Sequence, residues 1–469
     1  MPFIFLVFVV LSNALSDSTQ RSSPLHIREI SFAEAAPVLK DEDVEKAIPP
    51  ELRDQDPKRL QALWPQWVKA RDAETRRRLA TGCQDSLVNL LLFGTSYTRQ
   101  PRLTPDRLWA LRENPETRNA LLQGRIHDLV VALNRPQNNE RLQFMRRFLE
   151  AKGYGFQNPA NQIRVAEYLV SSFKRMLSDA GAYKEMLEVA EHLQDPNEEF
   201  ARRSTLFENR GLSIDTSLMP NFAVEEALKQ VKRVKLAAPG GVRRIGIIGP
   251  GLDFVDKTSG YDFYPEQTIQ PFALMDSLLR LELASSETLQ VTTFDISPQV
   301  NQHLASMAAH SQRGQSYVVQ LPLDNQKKWR PEAIQYWQRF GNMIGTSVAP
   351  LPPPSAVGNV RTRAVRIPPA IAQKIRAIDA NVIYQRPELS ADERFDLLLV
   401  TNVLIYYNVF EQSLAMVNIA QMLRPGGILL SNDNLLEVGD TPLHLVGYVA
   451  IPYSDRSGDG DRILCYQRD

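Results

Sequence analysis

Cysteine is almost missing: Cys83 and Cys465 are the only two among 469 residues. Two thiols so far apart provide neither a disulfide framework nor a cysteine zinc site. The six histidines include no HxH or HExxH spacing. A metalloenzyme is therefore a poor expectation, and no metal site is assigned. Net charge is missing too, with Lys+Arg and Asp+Glu both at 54. No global basic field exists to hold nucleic acid, and there is no acidic tail. No apolar run reaches the about 20 residues that a membrane span needs. What is present is ordinary for a globular chain, 43% hydrophobic and 23% charged. The length accommodates two or three domains.

The N-terminus stands apart. Phe3 to Leu11 is apolar, and Ala14 and Ser16 have the small-x-small spacing of a cleavage site. Two readings stay open for residues 1–16: a short secretory signal, or a hydrophobic start with no such role. No Lys or Arg precedes Arg21, so the basic flank of a signal is lacking. Residues 17–40 are expected as a linker.

From Asp41 to Lys235 the pattern is helical. Gln61 to Leu79, Arg141 to Leu149 and Ile163 to Leu177 show apolar residues at spacings of three and four. Breaks are expected at Asn134-Arg135-Pro136, Lys152-Gly153-Tyr154-Gly155 and Asp195-Pro196-Asn197. The character changes at Ala238-Pro239-Gly240-Gly241. Continuous apolar runs now alternate with helical spacing. Arg244 to Ile248, Leu289 to Asp295, Phe395 to Val400 and Ile428 to Ser431 read as buried strands. Val446 to Ile451 and Arg462 to Tyr466 read as a hairpin around Gly458-Asp459-Gly460. Residues 321–360, polar and then proline-rich, are expected as a flexible insertion. The fold class is therefore α/β. Residues 238–469 form a Rossmann-like, doubly wound, mostly parallel sheet with an antiparallel C-terminal hairpin, preceded by an all-α domain over 41–235.

In such a sheet, ligands sit beyond the carboxyl ends of the strands. Gly249-Pro250-Gly251 follows the first strand, where glycines permit tight geometry and close ligand approach. Asp295 ends the second strand, where a carboxylate can accept hydrogen bonds from ribose hydroxyls. Phe254 stands at the last position of a G-x-G-x-x-G/A match, which speaks against a dinucleotide site, and no P-loop is present. A nucleoside-bearing ligand fits these features.

Four segments carry a resemblance: Ile247-Ile248-Gly249-Pro250-Gly251, Phe294-Asp295-Ile296, Phe395 to Tyr407, and Leu423-Arg424-Pro425-Gly426-Gly427-Ile428-Leu429-Leu430. In this order they resemble the class I S-adenosylmethionine-dependent methyltransferases, and most closely the chemotaxis-receptor glutamate methyltransferases. The resemblance implies S-adenosylmethionine as cofactor, with Gly249, Pro250 and Gly251 at its methionine part. Asp295 and Ile296 would meet ribose and adenine, with Asp379 at the adenine edge. Asn402 and Val403 would lie beside the cofactor, and Asp253 follows in the same loop. Gln270-Pro271-Phe272-Ala273-Leu274 is similar to that family's Glu-Pro-Tyr-Ser-Leu helix start. Thr95 to Pro101 echoes its Thr-x-Phe-Phe-Arg-x-Pro loop, which would bring Thr95 to the cofactor and Arg99 to the substrate. Three positions depart from the pattern: Ile247 replaces an acidic residue, Asp253 a glycine and Thr401 an arginine.

Methyl transfer from a sulfonium needs chiefly positioning and desolvation, so no fixed catalytic motif is expected. Tyr406, Tyr407 and Arg99 are the candidate acceptor-facing residues. The acceptor, a small molecule or a protein side chain, stays open. A non-catalytic Rossmann-like binding or interaction protein, exported if residues 1–16 are a signal, is the competing reading. The cofactor itself favours the cytoplasm.

Overall fold

The structure, a computed structural model, describes residues 25–191, 211–255, 261–437, 441–456 and 458–469. The signal-like segment and the break at Asp195 lie outside the described residues. The chain opens with β1 (Ile27–Glu29) and the short α1 (Phe32–Ala35), then the long α2 (Pro57–Phe93). Next come α3 (Pro105–Ala110), α4 (Pro115–Asn134), α5 (Glu140–Ala151) and α6 (Pro159–Glu191). The second half holds β2 (Arg244–Ile248), β3 (Gln290–Asp295), β4 (Tyr317–Asp324), β5 (Thr346–Val348), β6 (Val360–Ile367) and β7 (Ile375–Asp379). It ends with β8 (Gln385–Pro387), β9 (Phe395–Val400), β10 (Leu423–Ser431), β11 (Leu443–Pro452) and β12 (Gly460–Arg468). Its helices are α7 (Met219–Arg233), α8 (Gln270–Arg280), α9 (Pro298–Gln312), α10 (Pro331–Arg339), α11 (Pro369–Ala372) and α12 (Val409–Met422).

Seven strands form the main sheet in the order β11-β12-β10-β9-β2-β3-β7. The five from β10 to β7 run parallel, and β12 is antiparallel to both its neighbours. The chain winds outward from β2 in one direction through β3 and β7, then crosses to β9 on the other side. The switch point therefore lies between β2 and β9. Side-chain alternation assigns the two faces. Ile245, Ile247, Leu397, Leu399 and Leu430 pack under α7, α8 and α9. Ile248, Leu398, Val400 and Leu429 pack under α12. Gly246 lets the strands close, since a Cβ there would stand 2.2 Å from Leu398 Cδ2.

Two expectations are overturned. Residues 25–40 are not a linker. Ile30, Ala35 and Val38 fill the α12 side of the core, β1 pairs with β8, and Ser31 with Glu34 forms a capping box on α1. Residues 321–360 are not a flexible insertion. β4, β6 and β5 make an antiparallel sheet, and α10 buries Ala333, Tyr336 and Trp337 against the core. Polar and charged residues interrupt its apolar positions, which disguises the segment as surface.

The helical half is also not separate from the sheet. The first half of α2 places Trp64, Trp67 and Val68 in the core beside α12, and Trp64 Nε1 donates to the Ile30 carbonyl at 2.8 Å. The second half, Leu87 to Phe93, packs with α4, α5 and α6. Between them, residues 211–217 cross α2 at Gly82, where a Cβ would stand 1.8 Å from the Leu212 carbonyl oxygen. Alanine normally gains about 1 kcal/mol over glycine within a helix. Here the sign reverses. Gly82→Ala is expected to destabilise the protein by about 1–3 kcal/mol through overpacking, read by urea unfolding; a stabilised variant would contradict the crossing.

Candidate active site

At the switch point the chain leaves β2 through Gly249 and Gly251, whose φ values are +64° and +61°. Both lie in the left-handed region that favours glycine. Side chains there would also collide: a Cβ on Gly249 with Val403 Cγ2 at 2.4 Å, and on Gly251 with the Ile214 carbonyl at 2.7 Å. Pro250, buried between them, has no N–H and a fixed φ. The Gly249 N–H donates to the Phe294 carbonyl at 2.8 Å, which ties this turn to the end of β3.

A cavity of about 430 Å³ opens above these strand ends. The β2 turn contributes Gly249 and Gly251, and the β3 end contributes Phe294, Asp295 and Ile296. Ala380 to Ile383 after β7 and Thr401 to Tyr407 after β9 continue the wall. Residues 212–217 roof it from the N-terminal side. That strap is held by backbone hydrogen bonds, Leu252 N–H to the Ile214 carbonyl at 2.7 Å and Thr216 N–H to the Leu252 carbonyl at 2.9 Å.

Asp295 is 9% exposed, and its carboxylate accepts the Ser297 N–H at 2.8 Å. Burial pushes its carboxyl up to about 7, against the opposing pull of the Ser297 and Gly251 N–H groups; the nearby Asp379 carboxylate adds to the rise. Beneath the β9 end, Asp433 accepts the Leu404 N–H at 3.1 Å, and burial raises it to about 7 as well. Asn402 adopts φ +57° and exchanges two hydrogen bonds with Asn432, at 2.8 and 2.9 Å. This pairing holds the end of β9 against the loop after β10. Tyr407 is buried, with the Arg78 guanidinium 5.6 Å from its ring centroid, and Arg78 also donates to the Tyr406 carbonyl at 2.7 Å.

Of the expected site residues, Gly249, Gly251, Asp295, Ile296, Asn402, Val403, Tyr406 and Tyr407 line the cavity. Four others do not. Asp253 is buried behind the turn, where its carboxylate accepts from Tyr264 and Gln267, both at 2.8 Å. Asp379 points outward, 53% exposed, in an ion pair with Arg76 at 2.8 Å. Thr95 hydrogen-bonds Asp262 at 2.6 Å in the helical half, and Arg99 is exposed on the same loop. The echo over Thr95 to Pro101 thus marks a different place in the fold. The sequence reading missed the strap, which has no motif. Its one trace is Gly82, an otherwise unfavourable glycine inside a helix. It also missed Asn381 to Ile383, two to four residues beyond the acidic position it selected.

No family model and no curated relative matches the chain. Solved structures give fold likenesses of low overlap. The N-methyltransferase NodS from Bradyrhizobium japonicum WM9 is 15% identical with a TM-score of 0.24, covering 52% of this chain and 97% of that one. The glycopeptide N-methyltransferase MtfA, complexed with S-adenosyl-L-homocysteine, is 9% identical at 0.28, covering 54% and 92%. A TehB-like SAM-dependent methyltransferase from Corynebacterium glutamicum is 12% identical at 0.24, covering 54% and 90%. Overlap this small decides neither ligand nor reaction, which rest on strand order and site geometry. Among the described residues no helix is long and apolar enough to cross a membrane, and no group of three or more His, Cys, Asp or Glu could hold a metal.

The raised Asp295 carboxyl has a consequence for stability. Its usual value is 3.8, so between about 4 and 7 the folded state keeps a proton that the unfolded chain has released. This group's contribution to stability therefore falls as pH rises through that window and stays low above 7. Asp295→Asn keeps the acceptor oxygen and removes the buried charge. Urea unfolding at pH 8 is expected to show the variant more stable by about 1–3 kcal/mol, a gain that shrinks towards pH 4. A loss of stability at pH 8 would show that the carboxylate is not strained by burial.

Proposed function

We propose that this protein transfers a methyl group from S-adenosylmethionine to an acceptor bound in the same cavity. The observation that carries the reading is Asp295: a buried carboxylate at the end of the second strand, beside a turn of two left-handed glycines, facing the topological switch point. The residues present fit the cofactor. Asp295 offers acceptors for a pair of ribose hydroxyls, in a setting where buried acceptors need donors. Ile296, Val382 and Ile383 supply apolar walls for a flat base. Gly249, Pro250 and Gly251 turn the chain tightly enough for the backbone to approach the methionine part, and Asn402 and Val403 border the same end.

When bound, the cofactor supplies an electrophilic methyl group already activated by its sulfonium. The protein's part is to align, dry and enclose. The strap at 212–217 excludes water from the glycine turn. Tyr406 and Tyr407 wall the acceptor side, and Arg78 holds Tyr406 in place through its carbonyl. In this reading the catalytic unit comprises residues 25–79 and 211–469. The helical region after residue 79 covers it, and dependence on this cofactor favours the cytoplasm.

Calorimetric titration with S-adenosylhomocysteine tests this. The wild type is expected to bind saturably at pH 8, and Asp295→Ala to lose at least tenfold in affinity. Below pH 7 wild-type affinity should weaken by about tenfold per unit, because protonation removes the form that accepts both hydroxyls. A folded wild type that does not bind would overturn the reading.

A further inference from the structure

Midway along α2, Thr75 is buried and Leu79 lines the cavity, so this stretch of the helix faces the strand ends. Arg76 lies between them, and its guanidinium bridges three elements. Nε donates to Asp72 Oδ2 at 3.0 Å, one turn back on α2. Nη1 donates to the Ile296 carbonyl at 3.4 Å, just after β3, and Nη2 pairs with Asp379 Oδ1 at 2.8 Å, at the end of β7. Through its other oxygen Asp72 accepts from Asn381 Nδ2 at 2.9 Å. Ile296 and Asn381 both line the cavity. An arginine suits this place because its planar fork holds several acceptors at fixed angles, which an ammonium does not.

Asp379 is also the register partner of Asp295 on the adjacent parallel strand. A second carboxylate at a neighbouring strand end disfavours the ionised form of Asp295. That effect is present here: burial is the main cause of the raised Asp295 carboxyl, and the Asp379 charge adds to it. Arg76 supplies the opposite charge directly on Asp379. The other titratable side chains lining the cavity, among the described residues, are Asp215 on the strap and Tyr406 and Tyr407 after β9, with Arg78 against the Tyr407 ring.

Building on the methyl-transfer reading, we propose that Arg76 is a positioning residue of the cofactor site: by neutralising Asp379 it keeps Asp295 able to accept both ribose hydroxyls. It acts through its partners rather than on the ligand. The same guanidinium ties the Ile296 carbonyl to Asp72, and Asp72 holds Asn381, so α2 also sets the spacing of the two walls between which the base would lie. Removing Arg76 therefore has two separable effects. The walls loosen, which weakens binding at every pH. Asp379 loses its counter-charge, which holds the proton on Asp295 to a higher pH.

The full chain is tested in two arms, on the wild type, Arg76→Met, Asp379→Asn and the double variant. Asp215, Tyr406, Tyr407 and Arg78 are common to all four and cancel from the comparison. Calorimetry with S-adenosylhomocysteine locates the pH below which affinity falls, near 7 in the wild type. Arg76→Met is expected to raise it by about one unit and Asp379→Asn to lower it by about half a unit, with the double variant returning towards the wild type. Arg76→Met that binds more weakly with that pH unmoved has lost only a structural contact and overturns the inference, as does a double variant that behaves like Arg76→Met. The second arm needs no ligand. The stability that Asp295→Asn gains at pH 8 in urea unfolding should grow in the Arg76→Met background and shrink in the Asp379→Asn background; an equal gain in all backgrounds overturns the inference. If Arg76→Met does not fold, Asp379→Asn decides alone, supporting the coupling if both readouts move as stated and overturning it if neither does. A folded wild type that binds no S-adenosylhomocysteine overturns the underlying methyl-transfer reading instead, and the unfolding arm still decides whether Arg76 acts on Asp295.

Discussion

Two backbone hydrogen bonds join the halves of this protein at the point where chemistry is proposed. Leu252, just after the glycine turn, donates to Ile214 and accepts from Thr216. Those bonds lay residues 212–217 across the cavity mouth, and the same segment can pass only because α2 carries glycine at position 82. The turn after β2 is thereby fixed from both sides: by β3 through the Gly249 to Phe294 bond, and by the strap through Leu252. Arg141 strengthens the arrangement from the helical half. Wholly buried, it donates to backbone carbonyls on both flanks of the loop after the turn, including Asp253 at 2.7 Å. Helical and sheet portions therefore share one site rather than meeting at a linker.

The site is expensive to hold. Burial raises the carboxyls of both Asp295 and Asp433 to about 7, and among the described residues neither has a cationic side chain as hydrogen-bond partner. Backbone N–H groups hold them instead. Such groups are poor for stability and well suited to a ligand that brings donors or positive charge, which is the usual relation between a binding site and its scaffold. The sulfonium and ribose hydroxyls of the proposed cofactor meet that description.

Much of the sheet was legible because parallel strands buried on both faces read as unbroken apolar runs. Arg244–Ile248 and Phe395–Val400 match their sequence limits residue for residue. The hairpin was legible from its alternation and its glycine turn. By contrast β4 and β6 break their apolar positions with polar and charged ones, β5 has no buried residue, and the prolines from Pro350 to Pro354 fall in the connection between β5 and β6, so the segment looked like cover. β1 has three residues, too short for any periodicity. In the site, residues fixed by backbone demands were found, because a left-handed turn requires glycine and a strand end fixes where Asp295 points. Asp253, Asp379 and Thr95 were misplaced because a motif match gives order along the chain but not side-chain direction. The strap was invisible because backbone hydrogen bonds hold it, and these leave no residue preference behind.

Hydrogen exchange with and without S-adenosylhomocysteine tests the shared site most directly. The account predicts slowed exchange in four segments far apart in sequence: the strap at 212–217, the turn at 247–253, the β3 end at 293–297 and the β9 end at 400–407. Slowing confined to the sheet segments, with the strap unchanged, would contradict the claim that the N-terminal half completes the site. Slowing elsewhere, with all four unchanged, would contradict the site itself.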